Sequence, residues 1–201
     1  MSEYPDHLMN LLKTSKYLHL ATASLKDATP SVALMNYTYI PNEKTYKQQD
    51  GDLIILATHE DTGKYSNIKE NPQVSLLIHD WVTAKKLSLR KNSQSSTPVP
   101  PSSTQNMDGS NNEGMNTSKL FNLLQELNQA ELSQMSATLK GKAVILSKQL
   151  GNAQEFEYYQ KELLKNNPDA RCFITGNDIA IIKVKIVGGK ISDNENNTTT
   201  I

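Results

Sequence analysis

The stretch Leu53-Ile-Ile-Leu-Ala-Thr58-His-Glu-Asp-Thr62-Gly-Lys64 lies in the first half of this chain of 201 residues. Its first six residues are apolar or β-branched, which predicts a buried strand over 52–58. Thr62 then stands at the N-cap position of a predicted helix over 62–70, and Asn71-Pro72 ends that helix. The stretch therefore predicts a strand and a short helix, joined by a turn that carries hydroxyl groups and a lysine.

Two interpretations of this turn are open. The free amides of a helix N-terminus, the hydroxyls of Thr58 and Thr62 and the ammonium group of Lys64 together suit a phosphate group. The same spacing also fits an ordinary capped helix start with a solvated lysine. Glu60 and Asp61 oppose an anion unless their side chains point away. The spacing alone does not decide between a phosphate site and a solvated helix start.

The rest of the chain is predicted to be mainly β. Segments of high β propensity, bounded by Pro, Gly, Asn and Asp, predict strands over 17–24, 31–40, 52–58, 73–81, 137–146, 172–175 and 179–187. The last two are interpreted as a hairpin, with Cys172 as a small core residue. Because 73–81 is mostly apolar, both its faces are expected to be covered. The expected fold class is an antiparallel β-barrel with peripheral helices.

Helical spacing of apolar residues predicts helices over 5–12, 62–70, 119–135 and 154–166. Between Lys91 and Ser118 the sequence is almost entirely Ser, Thr, Asn, Gln, Pro and Gly, which predicts a disordered insertion over 91–118. Residues 1–90 and 119–191 are expected to form a single domain. Residues 192–201 are expected to form a polar tail.

Composition excludes several classes of function. Basic and acidic residues number 21 each, so the broad positive field needed for nucleic-acid binding is not expected. No apolar run approaches the roughly 20 residues that cross a bilayer, and no signal peptide is visible. The single cysteine and the four histidines lack metal-ligand spacing, so no metal site is expected. The expected location is cytoplasmic, with nuclear entry left open.

Three segments together resemble a known family. They are Pro30-Ser-Val-Ala-Leu-Met-Asn-Tyr, the stretch from Asp52 to Lys64, and Asn71-Pro-Gln-Val-Ser-Leu-Leu-Ile-His-Asp-Trp81. In this order they resemble the pyridoxamine 5′-phosphate oxidase-like FMN-binding split barrels. The resemblance covers about 30–81 well and 136–146 more loosely.

The resemblance implies an FMN cofactor bound at a homodimer interface. Lys64 and Thr62 would hold its phosphate, with Thr58 and the backbone of Ala57 beside it, and Ser136 would stand where the oxidases have a glutamine that touches the flavin. The full set of implied cofactor-binding residues is Ser31, Val32, Leu34, Asn36, Ala57, Thr58, Thr62, Gly63, Lys64 and Ser136. Strand residues from Ser31 to Asn36 would edge the isoalloxazine and ribityl groups.

The chain departs from the oxidases at three cationic positions. Ser31 and Gly63 stand where the oxidases have arginines, and Asn36 stands where they have a lysine. We therefore expect the chain to retain FMN more weakly than the oxidases do. We do not expect it to oxidise pyridoxamine 5′-phosphate. Two functions remain: a flavin-dependent oxidoreductase acting on an unknown small substrate, or a non-catalytic flavin-binding or interaction module. Since a flavin carries the redox chemistry itself, no catalytic residue is assigned.

Overall fold

A computed structural model describes residues 4–48, 51–79, 136–148, 151–192 and 197–201. The predicted insertion over 91–118, the predicted helix over 119–135 and Trp81 lie outside these ranges. The described strands are β1 (Tyr17–Ala23), β2 (Pro30–Ile40), β3 (Leu53–His59), β4 (Gln73–His79), β5 (Ser136–Leu146), β6 (Ile179–Ser192) and β7 (Thr198–Thr200). The described α-helices are α1 (Asp6–Thr14), α2 (Gly63–Glu70), α3 (Ala153–Asn166) and α4 (Arg171–Ile174).

The strands form one antiparallel sheet that closes on itself. Their order is β3-β2-β1-β4-β5-β6-β7, and β3 also pairs with the first half of β6. This additional pairing closes β1 to β6 into a barrel, while β7 pairs with the second half of β6. The predicted mainly β barrel with peripheral helices is confirmed.

The central strand β3 is buried on both faces over its first six residues, as its unbroken apolar sequence predicts. Ile54 and Leu56 pack inside the barrel with residues of β1, β4, β5 and α1. On the other face, Leu53 and Ile55 pack against α3. The helix contributes Phe156, Tyr159 and Leu163 to this second cluster, the three residues that its spacing predicts to be inward. Burial on both faces fixes the end of β3, where the polar turn begins.

Asn167, which directly follows α3, anchors that helix to the barrel. Its buried amide nitrogen donates to the carbonyl oxygen of Tyr37 and to Oγ1 of Thr38, each at 3.1 Å. A buried amide bound in this way fixes the end of α3 against β2. The chain then turns at Pro168–Ala170 directly into α4. The position of α4 therefore depends on this anchor.

The predicted strand over 172–175 is wrong. Cys172 to Ile174 belong to α4, so no hairpin forms with β6. Pro168 starts a 3₁₀ turn that continues into the helix, and Ile174 is buried in the cluster under α3. Tertiary packing therefore overrides the β propensity of the segment. The prediction that Cys172 is a small core residue is also wrong, since Cys172 is exposed.

Three strand boundaries or faces also differ from the prediction. In β4, Gln73 and Leu77 are exposed, so this strand has one buried face within the chain. Strand β6, predicted over 179–187, runs past Gly188-Gly189 to Ser192. Part of the predicted polar tail forms β7 along it. No helix in the described ranges is long and apolar enough to span a membrane.

Candidate functional site

A cleft of about 310 Å³ opens where β3 ends and α2 begins. Strands β2 and β3 form one side of it, and α4 with the start of β6 forms the other. Six residues of the predicted site line this cleft: Leu34, Asn36, Ala57, Thr58, Thr62 and Lys64. Its volume lies at the lower end of the roughly 300–1,000 Å³ that is typical of small-molecule sites.

Thr62 caps α2, as its position in the sequence predicts. Its Oγ1 accepts a hydrogen bond from the backbone N–H of Tyr65 at 3.4 Å and donates one to the carbonyl oxygen of His59 at 2.9 Å. The Oγ1 atoms of Thr58 and Thr62 lie 3.0 Å apart, within hydrogen-bonding distance. Thr58 is only 4% exposed. The two hydroxyls thus form a connected pair, with Thr62 nearer to solvent.

The charged side chains at this turn differ in whether an oppositely charged group lies near them. Among the described residues, Lys64 has no carboxylate within 4.0 Å. The carboxylate of Asp61 is instead 2.9 Å from Nδ1 of His59. Burial, followed by the charge of Glu60, raises the pKa of Tyr65, which stays neutral near pH 7. The ammonium group of Lys64 is therefore available to an anion in the cleft.

Four residues of the predicted set do not line the cleft. Ser31 and Val32 lie farther along β2 and are exposed. Gly63 is the exposed first residue of α2, between Thr62 and Lys64. Ser136 begins β5, where it pairs with His79 and Ser192. The structure thus separates Ser136 from the turn at Thr62.

The cleft also contains residues that the sequence prediction missed. They are His59, Leu163, Cys172, Phe173, Ile174 and Ile179, while Met35, which also lines the cleft, belongs to the predicted strand segment 31–36. Phe173, on α4, is 68% exposed although it is a large aromatic side chain. Because a strand is predicted over 172–175, the contribution of α4 to the cleft is not predicted. The segment Asn167-Pro168-Asp169 is nevertheless a turn signal that favours a new helix start.

An exposed apolar surface adjoins the cleft on β2, β1 and β4. We call this surface the outer face. On it, Leu34 of β2 pairs with His19 of β1, and His19 pairs with Leu77 of β4. Leu34 is 58% exposed and Leu77 is 38% exposed. The rings of His19 and His79 stack with their centroids 5.5 Å apart. Leu34 belongs to both the outer face and the cleft, so the two are continuous.

Comparison with known proteins places the chain in a family. Residues 4–101 match the family model described as Pyridoxamine 5′-phosphate oxidase. A Saccharomyces cerevisiae protein named "Pyridoxamine 5′-phosphate oxidase homolog" is 49% identical over 98% of this chain and 94% of its own length. A Schizosaccharomyces pombe protein named "Pyridoxamine 5′-phosphate oxidase C1952.08c homolog" is 34% identical over 95% of this chain and 86% of its own length.

Solved structures support the same fold at low identity. Campylobacter jejuni ChuZ matches with a TM-score of 0.57 and 12% identity, over 97% of this chain and 57% of its own. A heme binding protein from Mycobacterium smegmatis matches with a TM-score of 0.55 and 12% identity, over 98% of this chain and 58% of its own. These likenesses concern the fold alone. The relatives at 49% and 34% identity show that the chain belongs to the pyridoxamine 5′-phosphate oxidase family of split barrels.

Proposed function

We propose that this protein binds FMN in the cleft and uses it as a flavin-dependent oxidoreductase for a small organic substrate. Flavin binding is typical of the family. The observation that carries the proposal is the arrangement of Thr62 and Lys64 at the start of α2, inside a cleft of small-molecule size. A helix N-terminus with a hydroxyl and an ammonium group at one end of a cleft favours a ligand that ends in a phosphate.

The described side chains fit the phosphate of FMN. Lys64 supplies a positive charge with no carboxylate partner among the described residues. Thr62 supplies a hydroxyl near the surface, whose proton would turn from the carbonyl oxygen of His59 to the phosphate. Thr58 is too buried to be a principal ligand, so we assign it the positioning of Thr62 through their 3.0 Å contact. When bound, FMN supplies the hydride or electron transfer, and the protein supplies binding and orientation.

A second copy of the chain completes this site in our proposal. The cleft shares Leu34 with the outer face, where Val32, Leu34 and Leu77 expose apolar side chains. Contiguous exposed apolar surface of this kind marks an interaction site. A homodimer that buries the outer face would place the second copy beside the cleft at Leu34. The two-fold contact would be formed by the same surface on both copies.

The cations that are missing relative to the oxidases limit the reaction. Asn36 lines the cleft as a neutral amide, and Gly63 adds no side chain beside Lys64. For this reason we do not propose pyridoxamine 5′-phosphate as the substrate. The same neutral positions favour the second candidate, a non-catalytic module that binds and releases flavin. Turnover is what distinguishes the two candidates.

The decisive experiment is an FMN titration, followed by absorbance and flavin fluorescence, of the wild type and of Lys64→Ala. The variant should bind FMN at least tenfold more weakly, since a charge-assisted hydrogen bond contributes about 1.5–3 kcal/mol. Lys69→Ala is the matched control, because Lys69 is an exposed lysine in the last turn of the same helix. It should bind FMN as the wild type does.

Two outcomes would count against the proposal. A colourless wild-type protein that takes up no added FMN would refute flavin binding, and equal affinity in Lys64→Ala would refute the phosphate site. Anaerobic addition of NAD(P)H or of candidate substrates then tests catalysis. Bleaching of the bound flavin, followed by reoxidation in air, supports the oxidoreductase. FMN binding without reduction by any electron donor supports the non-catalytic module.

A further inference from the structure

His59 and Asp61 form a pair at the mouth of the cleft, beside the proposed phosphate site. Nδ1 of His59 lies 2.9 Å from Oδ1 of Asp61, and the His59 side chain is 48% exposed. His59 lines the cleft together with Thr62 and Lys64. Its carbonyl oxygen accepts the hydrogen bond from Thr62 Oγ1, so its backbone is tied to the α2 N-cap. The imidazole is therefore fixed close to the groups proposed to bind phosphate.

Asp61 determines what this imidazole can offer to a ligand. A neutral imidazole carries one N–H donor and one nitrogen acceptor, whereas the protonated ring carries two donors. A carboxylate beside Nδ1 favours the tautomer with its proton on Nδ1, which leaves a lone pair on Nε2 of the neutral ring. That nitrogen cannot donate to a phosphate oxygen until the ring gains a second proton.

The charges of the bordering elements favour uptake of that proton when an anion binds. The titratable groups there are Lys64 on α2, Arg171 and Cys172 on α4, Asp178 before β6, and Glu60 and Asp61 in the turn itself. These elements therefore carry three carboxylates and two cationic side chains near the turn. A phosphate dianion would increase the negative excess, and a protonated imidazole would offset part of it.

We propose that His59, held by Asp61, is a proton-linked ligand of the flavin phosphate, so that this site binds FMN more tightly when the imidazole is protonated. This inference rests on the proposed FMN site and adds to it a dependence on pH. Because binding linkage is reciprocal, FMN must promote proton uptake by His59 to the same extent that protonation promotes FMN binding. Riboflavin lacks the phosphate and should show neither effect.

The test measures the dissociation constants of FMN and riboflavin between pH 6.5 and 8.5. Over this range the phosphate of FMN is mostly a dianion, since phosphate monoesters lose their second proton near pH 6. If protonation of the imidazole is linked to FMN binding, the affinity for FMN should fall several-fold from pH 6.5 to 8.5 while the affinity for riboflavin stays constant. Isothermal titration in buffers of different ionisation enthalpy should also show net proton uptake near pH 7.

Two variants and one control isolate the pair. His59→Asn should bind FMN at pH 6.5 as weakly as the wild type does at pH 8.5, with no further dependence on pH and no proton uptake. Asp61→Asn should weaken the pH dependence of FMN binding, because the imidazole loses the carboxylate that lies 2.9 Å from its Nδ1. Glu60→Gln, which removes a neighbouring charge without removing the partner of His59, should alter the pH profile less than Asp61→Asn does.

The outcomes separate this inference from the proposal beneath it. If the wild type binds neither FMN nor riboflavin, both fail. If FMN binds and depends on Lys64, but wild type and His59→Asn show the same pH profile and proton uptake, the FMN site stands and the role of His59 is overturned. A riboflavin affinity that falls with pH as steeply as the FMN affinity would also overturn it, since the phosphate would then play no part.

Discussion

Gly63 is the residue at which the proposed phosphate site can be strengthened. A Cβ atom added there meets no other atom within 4 Å, so a side chain fits without displacing its neighbours. Gly63→Arg should tighten FMN binding about tenfold, because it adds a charge-assisted hydrogen bond to a phosphate beside Lys64. A cation at a helix N-terminus opposes the helix dipole by about 0.3–1 kcal/mol, which keeps the gain at the lower end.

The comparison of FMN with riboflavin checks this prediction. Gly63→Arg should leave riboflavin binding unchanged, and Gly63→Ala should leave the binding of both flavins unchanged. Equal FMN affinity in wild type and Gly63→Arg would place the phosphate away from the start of α2. Tighter binding of both flavins would indicate that the arginine contacts the ring system instead.

At the residue scale, local sequence located the proposed phosphate site but not all of its surroundings. Thr62 and Lys64 are three and five residues from the end of β3, so chain geometry alone keeps them together, and the N-cap role of Thr62 is confirmed. Phe173 and Cys172 join the same cleft from more than 100 residues away. Contacts between residues so distant in sequence leave no local periodicity, which is why these two residues were missed.

At the element scale, Gly189 permits the close approach of β5 and β6. A Cβ atom on Gly189 would lie 2.9 Å from the carbonyl oxygen of Thr138 and 2.7 Å from Cδ2 of Leu139. The backbone oxygen cannot move away as the end of a flexible side chain can. Gly189→Ala should therefore lower the free energy of unfolding by about 2–3 kcal/mol, within the range of overpacking substitutions.

Urea unfolding at pH 7 measures this effect, with Gly63→Ala as the control. The control places a methyl group in open space and should change the free energy of unfolding by less than about 1 kcal/mol. A loss in Gly189→Ala no larger than that of the control would mean that β5 and β6 separate at this position without cost. The same contact explains why β6 continues past the glycine pair instead of ending there.

The strands and helices were predictable to the extent that burial repeats along the sequence. Segment β3 is buried on both faces and reads as an unbroken apolar run, and α3 shows helical spacing of Phe156, Tyr159 and Leu163. The α4 segment has only four residues, too few to show a period. Its conformation depends on Pro168 and on the burial of Ile174, and only the second of these required the tertiary structure.

At the scale of the whole molecule, the exposed apolar side chains of the outer face predict that two copies of the chain associate. Leu77 lies on β4, two strands away from Leu34, and does not line the cleft. Leu77→Glu should convert the proposed homodimer into a monomer, because a buried charge without a partner opposes association. FMN binding should weaken in parallel, since the second copy is proposed to lie beside the cleft.

Light scattering coupled to size-exclusion chromatography, together with FMN titration, tests this prediction. Val144→Glu is the matched control, because Val144 is a 47% exposed apolar residue on β5, outside the row that joins Leu34, His19 and Leu77. It should remain a dimer with unchanged FMN affinity. A monomeric wild type, or a Leu77→Glu variant that stays dimeric, would contradict the proposed interface. A monomer with full FMN affinity would instead separate flavin binding from assembly.

The sequence by itself determined the mainly β class, the strand–turn–helix around Thr62 and Lys64, and the resemblance to the family that the comparisons show. Those properties depend on the period of apolar residues and on neighbours a few positions apart. Only the tertiary structure decided that β3 and β6 close the barrel, that α4 faces the same cleft, and that His59 is paired with Asp61 at its mouth. Closure and cleft formation bring together residues distant in the chain, while the direction of a side chain such as His59 depends on packing and hydrogen bonds that no sequence pattern encodes.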